Sequence, residues 1–328
     1  MDDRLLFLLQ KRSWKNNLAG KKKIIVICGP TASGKTGLSL VIAKKFDGEI
    51  ISADSMQVYK KLDVGTAKAT LEEQSVAPHH LVDILEPDQP YNVQKFVEMA
   101  GKAIEDISAR GKIPVIAGGT GLYIESLING IQFSRQEDNS RIKQELQAEL
   151  SEKGSEYMYA VLQSIDPDYA ATVHPNNTVR VLRAIEIYRL TGHTMSWQLQ
   201  NSVPSEKPYD YLLIGLNYSD RAKLYDNINY RVDLMIQDGI LKEAEYVYEN
   251  KDSFKTCVSA IGYKEFFPYF EGEKTLEECV DKLKQASRNY AKRQLTWFNR
   301  MKDVNWLFID KEDYKAKAIE KTKEFLEK

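Results

Sequence analysis

The stretch Ile24-Ile25-Val26-Ile27-Cys28-Gly29-Pro30-Thr31-Ala32-Ser33-Gly34-Lys35-Thr36 joins an apolar, β-branched run of strand length to GPTASGKT. That octapeptide fits G-x-x-x-x-G-K-[ST], and a helix-like segment, 37–46, follows it. Strand, glycine-rich turn and helix in this order form a cradle for phosphate. The glycines let successive backbone N–H groups turn inward, and the helix adds the positive end of its dipole. Lys35 is expected to reach the outer phosphate oxygens, and the Thr36 hydroxyl to face a Mg²⁺ bridging two of them. The motif specifies a diphosphate group and leaves open whether ATP, GTP or another molecule carries it.

The 328 residues, 43% of them apolar, suffice for a large core with a second lobe. A net charge of −1 gives no global pull toward nucleic acid, so any polyanion site must come from local clustering. Cys28, Cys257 and Cys279 are scattered and lack metal-ligand spacing, which suits a reducing cytosol. The leader carries only a five-residue apolar run, 5–9, behind Asp2 and Asp3, and no apolar stretch of about 18 residues exists. A cytoplasmic protein without membrane association is expected, with 1–22 an extension.

Outward from the cradle, Glu49-Ile50-Ile51-Ser52 forms a second buried strand leading into Ala53-Asp54-Ser55-Met56-Gln57. In a parallel sheet the carboxyl strand ends make the ligand crevice, so Asp54 should stand beside the cradle, either as a chemical group or as the N-cap of a helix opening at Ser55. Segments 63–68 and 77–83 are turn-rich and expected on surface loops, with His79 and His80 solvated or structurally bonded. A helix is expected over 91–108. The strand 113–117 then delivers Gly118-Gly119-Thr120 where a hydrolytic NTPase usually places an acid, so hydrolysis is not the obvious reaction.

From 124 to 203 the pattern is helical without strands, with Arg180 and Arg183 three apart on one helix. Strands return at 211–216 and 306–310, and helices over 219–250. The expected architecture is α/β: a P-loop NTPase-like parallel sheet (23–123 and 204–328) with helices on both faces and an inserted all-helical domain (124–203). Lys284, Arg288 and Lys292 fall at spacing four in the basic segment 281–303, with Tyr290, Trp297 and Phe298 interleaved. Such a stripe is either a solvated face or, with Arg180 and Arg183, a surface for a single-stranded RNA loop.

Seven segments in order carry a resemblance: GPTASGKT (29–36), ADSMQVYKKLDVGTAK (53–68), PHHLVDI (78–84), AGGTGLY (117–123), RVLRAIE (180–186), IGYKE (261–265) and YAKRQLTWF (290–298). Together they resemble the tRNA dimethylallyltransferases. The resemblance implies Mg²⁺-dependent transfer of a dimethylallyl group from its diphosphate to N6 of adenosine 37, beside the anticodon. It implies a monomer whose partners are the tRNA anticodon stem-loop and dimethylallyl diphosphate. The cradle residues Gly29, Pro30, Thr31, Ala32, Ser33, Gly34, Lys35 and Thr36, with Arg231, would then hold the donor's diphosphate and no nucleotide.

By the same resemblance Asp54 is the general base and Thr120 the diphosphate-side hydroxyl. The tRNA contacts would come from Asp54, Ser55, Met56, Gln57, Thr120 and Arg141, from Val179, Arg180, Val181, Leu182 and Arg183, and from Ser259, Ala260, Ile261, Gly262, Tyr263 and Lys264. The basic stripe adds Arg288 and Lys292. One departure is Asn227, where the family pattern has arginine. A free-nucleotide prenyltransferase, a P-loop kinase and a nucleotide-binding RNA switch are the competing readings.

Overall fold

The computed structural model describes residues 20–133, 140–311 and 313–328. The chain divides into two compact units, one formed by residues 1–128 and 208–328, the other by 129–207. In the first, strand β1 (Lys22–Cys28), helix α1 (Lys35–Phe46), β2 (Gly48–Ser52), α2 (Leu71–Val76), β3 (His79–His80), α3 (Val93–Ala109), β4 (Ile113–Gly118) and α4 (Gly121–Asn129) come first. After the second unit the chain returns to the sheet through β5 (Tyr209–Asn217) and later β6 (Asn305–Phe308). The six strands are parallel and lie in the order β3-β2-β4-β1-β5-β6.

Successive side chains of a strand point to opposite faces, and β1 uses both. Ile24, Val26 and Cys28 join one buried cluster with Phe96, Ile104, Leu283 and Phe298. Ile25 and Ile27 join another with Leu38, Ile42, Ala318 and Leu326. Helices therefore cover both faces, which is why β1 is a continuous apolar run from Ile24 to Cys28. The strand order reverses at β1, so the crevice beyond its carboxyl end is the natural ligand site of such a sheet.

The second unit contributes α5 (Ser140–Ile165), α6 (Pro167–Ala170), α7 (Thr178–Thr191) and α8 (Met195–Asn201), with no strand among its described residues. Leu146, Met158, Leu162, Val181, Ala184 and Ile185 form its core. At Gly154 the backbone leaves helical geometry (φ 80°, ψ 171°), dividing α5 into two helical runs. The remaining helices of the first unit are α9 (Arg221–Gln237), α10 (Ile240–Glu249), α11 (Phe267–Phe270), α12 (Leu276–Phe298) and α13 (Tyr314–Glu327).

Four expectations are corrected. The inserted unit spans 129–207 and not 124–203, and it starts later because Ile124, Leu127 and Ile128 on α4 are buried in the core of the first unit. Lys22 belongs to β1 and not to an extension, and residues 1–19 lie outside the described residues. His79 and His80 are not on a loop: they form an edge strand beside Ile50 and Ile51, where His80 Nε2 meets buried Glu49 at 2.8 Å. No helix opens at Ser55; residues 53–58 turn without one.

Candidate active site

The β1–α1 loop is shaped by its own side chains. Ser33 Oγ and Lys35 Nζ both donate to the Pro30 carbonyl, at 2.8 and 2.6 Å. Gly34, in the left-handed region at φ 75°, starts α1 with no side-chain cap, so the first amides of this helix have no capping side chain. Burial, reinforced by the Arg231 guanidinium, pulls the Lys35 ammonium down to about 8, while the Asp54 carboxylate and Cys28 oppose the shift. Arg231 arrives from α9, where its Nη1 donates to Thr31 Oγ1 at 3.1 Å. Burial lowers its pKa too, with Asp54 opposing. Among the described residues neither cation has a carboxylate within ion-pair distance. Two desolvated cations beside uncapped amides make a site for a multiply charged anion.

The facing wall comes from the ends of β2 and β4. Ala53 N donates to Ala117 O at 2.8 Å and Thr120 N to Ala53 O at 3.3 Å, tying Asp54 beside Gly118 and Thr120. This approach needs glycine: a Cβ on Gly118 would lie 2.2 Å from the Ala53 carbonyl oxygen. Asp54 Oδ1 accepts from Met56 N at 2.8 Å and Gln57 N at 3.3 Å, an Asx-turn that fixes the carboxyl group. Oδ2 has no protein partner among the described residues. The Thr120 hydroxyl is buried, makes no hydrogen bond of good geometry and stands beside the Tyr290 phenol. Burial, with the charge of Asp54, pushes that phenol up to about 12, so it stays protonated.

Segment 63–68 closes another side. Glu243 on α10 accepts from the amides of Asp63, Val64 and Gly65 at 2.7 to 3.0 Å and from the Tyr263 hydroxyl at 3.0 Å. Gln57 Nε2 donates to the carbonyls of Thr66 and Ala67, both at 3.2 Å, and Ser52 Oγ donates to Gln57 Oε1. Gly65, Thr66 and Ala67 are thereby held against the cavity they line.

These walls enclose a cavity of about 480 Å³ lying wholly within the first unit. Thr31, Ala32, Ser33, Gly34, Lys35 and Thr36 line it with Asp54 through Gln57, Arg231, Ser259 through Gly262 and Lys264. Gly29, Pro30 and Thr120 are not among the lining residues. Sequence reasoning missed Leu283, Ser287, Tyr290, Arg293 and Gln294, which α12 turns into the cavity. The signal was present: 283, 287, 290 and 294 share one face at helical spacing, opposite to Lys292. Ile228, Val232 and Met235 on α9 repeat the pattern and supply apolar lining.

Other expected site residues fall elsewhere. Asn227 lies outside the cavity, donating to the Tyr218 hydroxyl at 2.6 Å, whereas Arg231 lines it. The basic stripe is largely packed: Lys284 pairs with Asp233 at 2.6 Å, Arg288 donates to Asn229, and of the three only Lys292 is exposed. Their partners all lie on α9, which is why Lys284 and Arg288 do not form a solvated face. Tyr263 and Val181 are 0% and 1% exposed and Ala260 is buried, so core packing and not RNA occupies these side chains. Ser259, Lys264, Val179 and Arg180 are exposed, Leu182 is half-buried, Arg183 pairs with Glu186 at 2.9 Å, and Arg141 pairs with Glu145 at 2.8 Å.

A family model for IPP transferase matches residues 57–301, and one for isopentenyl transferase matches 22–80. The chain is 46% identical over 297 residues to a protein of Thermoanaerobacter sp. (strain X514) named tRNA dimethylallyltransferase, covering 89% of this chain and 93% of that one. A Lactobacillus helveticus protein of the same name is 48% identical over 286 residues, covering 87% and 92%. Among solved structures, the tRNA isopentenylpyrophosphate transferase of Bacillus halodurans superposes with TM-score 0.69 at 41% identity, covering 94% and 97%. A eukaryotic dimethylallyltransferase acting on tRNA gives 0.78 at 34%, covering 93% and 80%.

Proposed function

The chain belongs to the IPP transferase family, and from that premise we propose that it moves a dimethylallyl group from its diphosphate to N6 of tRNA adenosine 37. Its activity is the isopentenylation of tRNA. One observation carries the assignment of residues: the anion cradle with Lys35 and Arg231 and the fixed carboxylate of Asp54 line a single cavity.

The exocyclic amine is a poor nucleophile because its lone pair is delocalised into the ring, so the electrophile must be activated. In the proposed step the bond between the allylic carbon and the diphosphate oxygen breaks as the bond from N6 to that carbon forms. The electron pair leaves with the diphosphate, which takes charge facing the loop amides, Lys35 and Arg231. Each such contact typically lowers the barrier by roughly 3 to 4 kcal/mol. The proton lost from N6 passes to Oδ2 of Asp54, whose carboxyl group is held by its Asx-turn.

Among the described residues no group of three or more His, Cys, Asp or Glu is placed to hold a metal. Mg²⁺ needs no such cage, because it takes one or two protein ligands and completes its shell with phosphate oxygens and water. Thr36, whose side chain borders the cavity, fits this mode as the protein ligand. When bound, the ion would supply further neutralisation of the diphosphate charge. The tRNA contacts are assigned to Arg141, Val179, Arg180 and Arg183 of the second unit and to Ser259, Lys264 and Lys292 of the first. No described helix is long and apolar enough to cross a membrane, and the three cysteines are free thiols, which supports a reducing cytoplasm.

The test is incubation with labelled dimethylallyl diphosphate and unmodified tRNA, followed by nucleoside analysis. Label on N6 of adenosine 37 is expected; preferential transfer to free AMP, or ATP consumption without prenyl transfer, overturns the assignment.

A further inference from the structure

Building on the tRNA prenyl-transfer reading, we infer that Gln294 is a positioning residue that sets the spacing between the loop receiving the diphosphate and the wall carrying Asp54. The residue is 5% exposed, and both ends of its amide are engaged. Oε1 accepts from Thr31 N at 2.8 Å, and Nε2 donates to the Gly119 carbonyl at 2.9 Å. Thr31 is also the residue whose hydroxyl receives Arg231. Gly119 precedes Thr120, whose amide donates to Ala53 O next to Asp54. One planar group on α12 thus joins the anion cradle to the proton-accepting wall.

Only a side-chain amide accepts at one end and donates at the other in this shape. Gly119 is matched to it. A Cβ there would lie 2.1 Å from Gln294 Nε2, while the nearest atom of any other residue, the Gly29 carbonyl oxygen, is 3.6 Å away. The missing side chain at 119 therefore makes room for Gln294 specifically. Transfer requires the reacting atoms within about 3 to 3.5 Å, and a displacement of about 1 Å costs on the order of 100-fold in rate. Gln294 touches neither reacting atom in this scheme; it acts by holding Thr31 and Gly119.

The experiment measures single-turnover transfer to tRNA for the full-length wild type, Q294A, Q294E, G119A and Q294A/G119A, with thermal unfolding confirming that each variant is folded. Q294A is expected to lower the rate at least tenfold with donor affinity changed less than threefold, roughly the size of a small misplacement. In Q294E the carboxylate still accepts from Thr31 but can donate to Gly119 only when protonated. Its rate relative to wild type is therefore expected to rise as pH falls from 8.5 to 6. G119A is expected to cost at least tenfold alone and less than about twofold in the Q294A background. Wild-type rates in folded Q294A, a pH-independent Q294E ratio, or full additivity of the two changes each overturn the inference. A wild type that transfers no label to tRNA overturns the transferase reading instead.

Discussion

Lys35 gives a quantitative test of the anion cradle. Burial and the neighbouring Arg231 bring its pKa from 10.5 to about 8. A diphosphate contacts the protonated form, so donor binding must take up a proton wherever the free protein has lost it. With a pKa of about 8, the protonated fraction falls from about nine-tenths at pH 7 to about one-tenth at pH 9, weakening donor affinity about tenfold. At pH 8 about half a proton is taken up per donor bound. Isothermal titration with saturated isopentyl diphosphate, which cannot ionise at carbon, measures both quantities when run in two buffers of different ionisation enthalpy.

The sign for stability is opposite. Between pH 8 and 10.5 the unfolded chain binds more protons at this lysine than the folded chain, so the donor-free protein gains stability as pH rises through that window. Lys35→Arg stays charged throughout and should flatten the affinity profile. Affinity that is constant from pH 7 to 9 with no linked proton, or an unchanged decline in Lys35→Arg, refutes the argument.

Asp54→Asn should lower single-turnover transfer by at least about 100-fold with tRNA affinity within threefold, measured by filter binding. Lys292→Glu should weaken tRNA binding and reduce its salt slope by roughly one, whereas Lys284→Ala should instead lower the melting temperature, since Lys284 is paired with Asp233. Glu49→Gln should cost about 2 kcal/mol in urea unfolding at pH 7, because Glu49 is 2% exposed and bonded to Arg110, Lys112 and His80. Those partners, Arg110 first, hold the Glu49 carboxyl well below its ordinary 4.5; its contribution is therefore present above 4.5 and declines as pH falls below it, and the difference between variant and wild type should shrink with it. Glu243→Ala should release segment 63–65, raising amide exchange at Asp63, Val64 and Gly65, whose amides it accepts.

Local pattern alone determined the parallel sheet and the cradle. The β-branched run 24–27 and the shorter apolar, isoleucine- and valine-containing stretches at 49–52 and 113–117 suit strands buried on both faces, and the glycines of GPTASGKT allow its tight turn. Asp54 was legible because carboxyl strand ends converge in such a sheet. Tertiary structure alone decided which side of each later helix meets that crevice. The sequence of α12 shows two stripes, one basic and one containing Gln294 and Tyr290, and periodicity gives their spacing but not their direction. Packing against α9 settled it: Asp233 and Asn229 take Lys284 and Arg288, and the opposite rotation of the helix turns Tyr290 and Gln294 toward the cavity. The edge strand at His79 was hidden for the same reason. Two residues carry no periodic signal, and only pairing with Ile50 and Ile51 makes them a strand.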